Sequence, residues 1–214
     1  AAPLVGMRNG GDPLFQDIAE DIGAEFYWTP GQAFSHAFPD QQVCAEDLTV
    51  IAWVLPQTEK TRKAHRKEKL TPSIEWSQAR YYGEQVNEKL REYVVDTLNS
   101  SGILACAPVL LPQWHREESK KYGFASSWSE RHAAYVCGLG TFGVSDGLIT
   151  PHGKAVRVGS VIIKERLPQT PRAYTHHQQW CLHFSSGTCL VCAKRCPAGA
   201  ISEKGHDILE INKS

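Results

Sequence analysis

No apolar run in these 214 residues approaches the length of about 20 that spans a bilayer, and the first residues lack the charged and then apolar pattern of a secretory leader. The chain is therefore expected in the cytoplasm, with no membrane partner. Neither sign of charge is in excess, because 23 Lys and Arg face 23 Asp and Glu. General electrostatic attraction to nucleic acid or anionic lipid is absent, so nucleic acid is not expected as a partner. No internal repeat or low-complexity stretch is visible, which excludes a solenoid. The cysteines number seven, an odd total that argues against a complete disulfide framework. With 42% hydrophobic residues the chain can bury an ordinary core. One principal domain with a small appended module is the natural expectation.

The most informative feature present lies near the end of the chain. Cys181, Cys189, Cys192 and Cys196 follow the order C-x7-C-x2-C-x3-C, and Pro197 comes next. Four thiolates in one short segment call for a metal. The last three spacings and the trailing proline match the run that wraps an iron-sulfur cube in bacterial ferredoxins, so a 4Fe-4S cluster is the leading reading. Structural zinc and a disulfide pair are the competing ones. A full ferredoxin run would carry a cysteine where Ser186 stands, and Cys181 is the obvious substitute. Two arrangements remain open: Cys196 closes a single cluster, or the polypeptide is longer than the part given. Cys44, Cys106 and Cys137 read as reduced, buried small hydrophobes. His176, His177 and His183 flank the run and read as supporting or surface residues. His115 and His132 receive no role.

Local patterns outline the rest. Leu14 to Ile22 repeats as a helix ended by Gly23, and Leu48 to Leu55 is a continuous apolar run expected as a strand covered on both faces. The basic stretch Lys60 to Lys69 reads as a solvated surface turn, with a phosphate grip as the functional alternative. Thr71 and Pro72 look like the start of a long helix that presents Val86, Leu90, Tyr93, Val94, Thr97 and Leu98 on one face until Gly102. Ile103 to Leu111 has a strand pattern. Ser127-x-x-Glu130 spells a capping box for a helix ending at Gly138, and Val156 to Ile163 marks one or two further strands after the turn Pro151 to Lys154. The expected order is α, β, α, β, α, β, and then the cysteine segment.

Gly138-Leu139-Gly140-Thr141-Phe142-Gly143 spells G-x-G-x-x-G. It follows a helix and leads toward strands, which is the wrong context for a dinucleotide site. A glycine-rich turn is one alternative, and close backbone approach to a large flat ligand is another. Together with Glu130-Arg131, Leu148 to Pro151, Gly159 to Val161 and the C-x2-C-x3-C-P run, this segment resembles the epoxyqueuosine reductase and reductive dehalogenase superfamily over roughly residues 48 to 206.

That resemblance implies an α/β (α+β) fold, with a nitroreductase-like core sheet over residues 1–170 that holds cobalamin. A small ferredoxin-like iron-sulfur module over 171–214 would carry the cluster on Cys181, Cys189, Cys192 and Cys196. Gly138, Leu139, Gly140, Thr141 and Gly143 would line the corrinoid pocket. The implied activity is an oxidoreductase that passes electrons from the cluster to cobalamin and reduces a small-molecule substrate, supplied by a reduced donor such as ferredoxin or flavodoxin. Three departures stand out. Phe124 occupies the place of the catalytic aspartate, Val144 that of a lysine, and the tRNA-contacting helical repeats have no counterpart in these residues. Tyr122 is the candidate replacement proton donor. The loss of the acid favours a second reading, a corrinoid-binding or electron-carrier protein without turnover.

Overall fold

The computed structural model describes residues 3–203; positions 204–214 of the expected C-terminal module lie outside the described residues. The chain opens with a strand, β1 (Leu4–Asn9), which the local pattern did not signal. Helix α1 (Pro13–Ile22) follows, with Asp12 accepting from the amide of Leu14 and Gly23 as C-cap at φ 149°. This is the expected helix. A capping box between Thr29 and Gln32 starts α2 (Pro30–Ala37).

After β2 (Thr49–Pro56), the basic stretch expected as a turn forms a helix, α3 (Glu59–Lys67), because the Thr58 side chain accepts from the amide of Thr61. Its charges face solvent and Thr61 is its buried residue. Helix α4 (Ile74–Ser100) is capped by Ser73, two residues later than the expected Thr71. Its inner face also departs from expectation. Leu90, Val94, Val95 and Leu98 pack against the sheet, whereas Val86 and Tyr93 are exposed. The buried residues of this helix are the polar Asn87 and Arg91.

The strand expected over 103–111 shrinks to β3 (Ala105–Cys106) followed by a 3-10 turn at Pro108–Leu110. Proline has no amide for a ladder, and Pro108 therefore stops the pairing. A hairpin of β4 (Arg116–Ser119) and β5 (Gly123–Ser126) leads to α5 (Glu130–Val136). The N-cap of α5 is Ser129, which accepts from His132; the Ser127–Glu130 capping box does not form, and the Glu130 side chain is engaged elsewhere. The short pair β6 (Thr141–Phe142) and β7 (Leu148–Ile149) precedes β8 (Val156–Ile163), and the helical turns α6 (Leu182–Ser186) and α7 (Val191–Lys194) complete the order.

The main sheet has the order β1-β2-β8-β3 and is antiparallel at every pairing. Helices cover both faces, so the architecture is a mixed α/β, α+β one. Period-two alternation in β2 sends Val50, Ala52 and Val54 into the core with α1, α2 and α5, and Ile51, Trp53 and Leu55 toward α4. That alternation makes β2 apolar throughout, as its sequence suggested. Among the described residues, no helix is long and apolar enough to cross a membrane.

Candidate functional site

The glycine segment emerges where α5 ends. Gly138 has φ 85°, the left-handed region that ends a helix. A Cβ on Gly140 would collide with the backbone carbonyl of Ile149, so the glycine there admits the neighbouring strand β7. Leu139 is buried against Gly6 of β1. Thr141 is fully buried, and its hydroxyl oxygen accepts from the amide of Trp180 at 3.0 Å. The amide of Phe142 donates to the carbonyl of His177 at 2.6 Å. Gly138, Leu139, Gly140 and Thr141 thus contact the chain itself, and the segment leading into the cysteines docks on β6. Tyr174 reinforces this docking, with its hydroxyl on the carbonyl of Tyr135 and its ring stacked on that residue at 5.3 Å.

Gly143 differs. With Val144 it lines a cavity of about 930 Å³ whose wall also holds all four thiols, Cys181, Cys189, Cys192 and Cys196. Cys181 is the buried N-cap residue of α6, and Cys192 lies in α7. The amides of Ala200 and Ala198, together with those of Ile201 and Gly199, point at the sulfur of Cys196 and hold its thiol below the usual range. Amides aimed at sulfur favour the thiolate, the form that ligates metal. Among the described residues, no three His, Cys, Asp or Glu side chains converge closely enough for one metal ion. His176, His177 and His183 do not line this cavity, whereas His65 does, stacked on Trp76 at 4.5 Å and 13°.

A second cavity, of about 330 Å³, is lined by Phe142, the residue before Gly143 of the first. Its walls include Tyr27, Tyr122, Phe124, Arg131 and His132. The hydroxyl of Tyr122 donates to Asp21 Oδ2 at 2.5 Å, and Lys121 Nζ meets Asp21 Oδ1 at 2.5 Å. Burial, with the Asp21 carboxylate adding to it, pushes the Tyr122 phenol well above its usual range, so it keeps its proton. Phe124 is exposed on β5 with the Arg116 guanidinium 5.5 Å from its ring centroid.

His132 was given no role by its sequence context, and His115 remains outside this cavity, its ring on the carbonyl of Gln113. His132 sits on the inner side of α5 between Tyr27 and Phe142, and neither ring nitrogen has a hydrogen-bond partner among the described residues. Burial pulls its pKa down to about 3, which leaves a neutral imidazole able both to donate and to accept. A lone histidine at the third position of a helix carries no sequence signal; only the packing of α5 turns it inward.

Glu130, two residues before His132, belongs to a buried polar network. Arg91 Nε reaches its Oε1 at 3.0 Å, and Ser160 donates to its Oε2 at 2.5 Å. Both carboxylate oxygens are thereby engaged in holding α4, α5 and β8 together.

No family model and no curated protein matches this sequence. Solved structures do. The chain superposes on a selenomethionine-labelled epoxyqueuosine reductase with a TM-score of 0.51 at 16% identity, covering 96% of this chain and 50% of that one. A second epoxyqueuosine reductase, solved with an epoxyqueuosine-modified tRNA-Tyr stem loop, gives a TM-score of 0.50 at 17% identity and the same coverage of 96% and 50%. The chain spans about half the length of these structures, and over that half it shares the fold of the epoxyqueuosine reductases.

Proposed function

We propose that this protein is an iron-sulfur oxidoreductase of the cobalamin-dependent type, with a 4Fe-4S cluster on Cys181, Cys189, Cys192 and Cys196 in a ferredoxin-like C-terminal module and a small organic substrate. The observation that carries the proposal is the shared wall of the larger cavity, where four thiols stand beside Gly143 and Val144. Its volume of about 930 Å³ lies at the upper end of the range for cofactor sites, with room for a flat macrocycle next to a cluster. Gly143, Val144 and Trp76 would hold that macrocycle, and the cobalt would supply a strong one-electron reductant and nucleophile. The fold similarity supports the same reading.

The chain's own groups have separate tasks. Amides at residues 198–201 stabilise charge on the Cys196 sulfur. Phe142 and neutral His132 would form part of the wall of the smaller cavity facing a substrate. Tyr122 stands on the same wall as a proton donor, with Asp21 fixing its hydroxyl.

The place of Phe124, where the resemblance expects an acid, favours a second reading: an electron carrier that binds a corrinoid without turning over substrate. Anaerobic reconstitution with iron and sulfide separates the possibilities. The reductase reading expects about four irons and four sulfides per chain and visible absorption bleached by dithionite. It further expects tight uptake of cobalamin and consumption of a reducible organic substrate. Cobalamin uptake without consumption identifies the carrier, and zinc in place of iron overturns both. One structural neighbour was solved with a tRNA stem loop. Binding of an RNA stem loop by this chain would replace the small-molecule assignment.

A further inference from the structure

The rim of the larger cavity is basic although the whole chain is neutral. Arg62, Arg66 and Lys69 come from α3 and the residues after it, Lys154 from the turn before β8, and Arg195 from the cysteine loop; Glu68 is the acid among the lining residues. All five cations are exposed, and none has a carboxylate within ion-pair distance among the described residues. Exposed apolar side chains lie among them: Leu70, Leu182 and Val191 also line the cavity. An apolar centre inside a charged rim is the anatomy of a protein-binding surface.

Arg195 makes this surface one unit. Its Nη2 donates to the carbonyls of Arg66 at 3.3 Å and Glu68 at 3.2 Å, at the C-terminal end of α3, where free carbonyls attract cations. The next residue is Cys196. The latch therefore ties the last thiol of the run to the basic helix.

We infer that this basic rim is the docking site of an acidic one-electron carrier protein, such as a flavodoxin or an acidic ferredoxin, that reduces the cluster; the inference rests on the iron-sulfur reading above. Charge complementarity selects that occupant. Uncompensated cations steer an acidic partner by long-range attraction, and a brief encounter suffices, because electron-transfer complexes bury little surface. In each encounter the carrier's reduced cofactor gives up one electron and the oxidised cluster gains it, with no bond made or broken. The rim does not suit nucleic acid equally well. A single-strand platform needs free aromatic faces, whereas Trp76 is already stacked on His65 and Trp180, the other tryptophan of the lining, packs against Tyr174.

The test uses the full chain and an oxidised acidic flavodoxin in isothermal titration calorimetry, which needs no cluster. Binding is expected to weaken roughly tenfold or more between low salt and 0.3 M salt, since exposed charges are screened over about a Debye length. Arg66→Glu combined with Lys69→Glu should weaken it at least as much at low salt. Arg195 takes the backbone carbonyl of residue 66, so the latch survives this variant, and an unchanged circular dichroism spectrum confirms the fold. In reconstituted protein, stopped-flow reduction by flavodoxin hydroquinone should slow in the same proportion while reduction by dithionite does not. Salt-independent binding, or binding untouched by the double reversal, overturns the docking site. Loss of stem-loop RNA binding in the variant with flavodoxin binding intact also overturns it and assigns the rim to RNA. Flavodoxin binding that meets these expectations in a chain that assembles no cluster upholds the surface and refutes the iron-sulfur reading alone.

Discussion

Arg91 of α4 donates from Nε to Glu130 Oε1 of α5 at 3.0 Å, and the arginine is only 2% exposed. The pair joins elements that lie on opposite faces of the sheet. Arg91 also reaches Glu84 and the carbonyl of Val158, while Glu130 takes Ser160, which in turn accepts from the Trp128 indole at 3.0 Å. Removing one member strands a buried charge. Arg91→Met is expected to destabilise the protein by about 3–5 kcal/mol, read as a lowered midpoint in urea unfolding.

Glu130 also makes stability depend on pH. Burial outweighs Arg91 and raises its folded pKa from 4.5 to about 7. A raised carboxylate pKa means that the native state binds more protons than the unfolded chain between those values. Its contribution is full below pH 4.5 and is lost as the pH rises through about 7. Unfolding free energy of the wild type should fall across that window, and Glu130→Gln should flatten the slope. A slope identical in the two proteins would contradict the assignment.

Serine at Cys181, Cys189, Cys192 or Cys196 should lower iron content after reconstitution, because a hydroxyl is a harder and poorer ligand for iron. Serine at Cys106 or Cys137 should not, nor at Cys44, which is exposed and not buried as its sequence context suggested. Burial pushes the thiols of Cys106 and Cys137 up to about 12, so they stay protonated and unable to ligate. Iron analysis of the seven variants decides the ligand set.

Two glycines of one segment should respond differently. Valine at Gly140 must collide with the carbonyl of Ile149, and it should unfold the protein or abolish iron and cobalamin binding together. Alanine at Gly143 meets the flexible end of Ile149 at 3.1 Å and should cost about 1 kcal/mol or less. Valine at Gly143 projects toward the larger cavity and should reduce cobalamin binding with iron retained. Calorimetric melting and iron content measured on each variant separate fold from site.

Trp53 on β2 pairs across the sheet with Gly159 on β8, and its indole covers the glycine. A Cβ at Gly159 would come within 2.5 Å of the ring. Gly159→Ala should therefore cost about 1–3 kcal/mol through overpacking and should disturb the indole's 2.9 Å hydrogen bond to Asn87. Unfolding midpoints and tryptophan fluorescence would register both effects.

Elements governed by neighbours in the chain were legible in the sequence. Helix α1 carries its own periodicity and stop, β2 is apolar because both its faces are covered, and the cysteine spacing is a local property of one loop. Strand β1 was not legible, since LVGMRN has no clear period and becomes a strand only by pairing with β2 from Leu4–Val54 to Asn9–Thr49. The basic stretch 60–69 showed its charge but not its helix, which one cap at Thr58 starts. Ser127-x-x-Glu130 looked like a local cap because the pattern is local, yet Glu130 was claimed by Arg91, 39 residues away.

The sequence by itself determined the spacing of the four cysteines, the central strand and the resemblance that the fold bears out. Only the tertiary structure decided that the glycine segment serves its own chain at Gly138 to Thr141 and a cavity at Gly143. It alone turned His132 inward, and it alone set the basic helix beside the last thiol. Spacing along the chain specifies what a segment can become, but which groups meet depends on contacts between residues distant in sequence, and their free energy is available only once the core has closed.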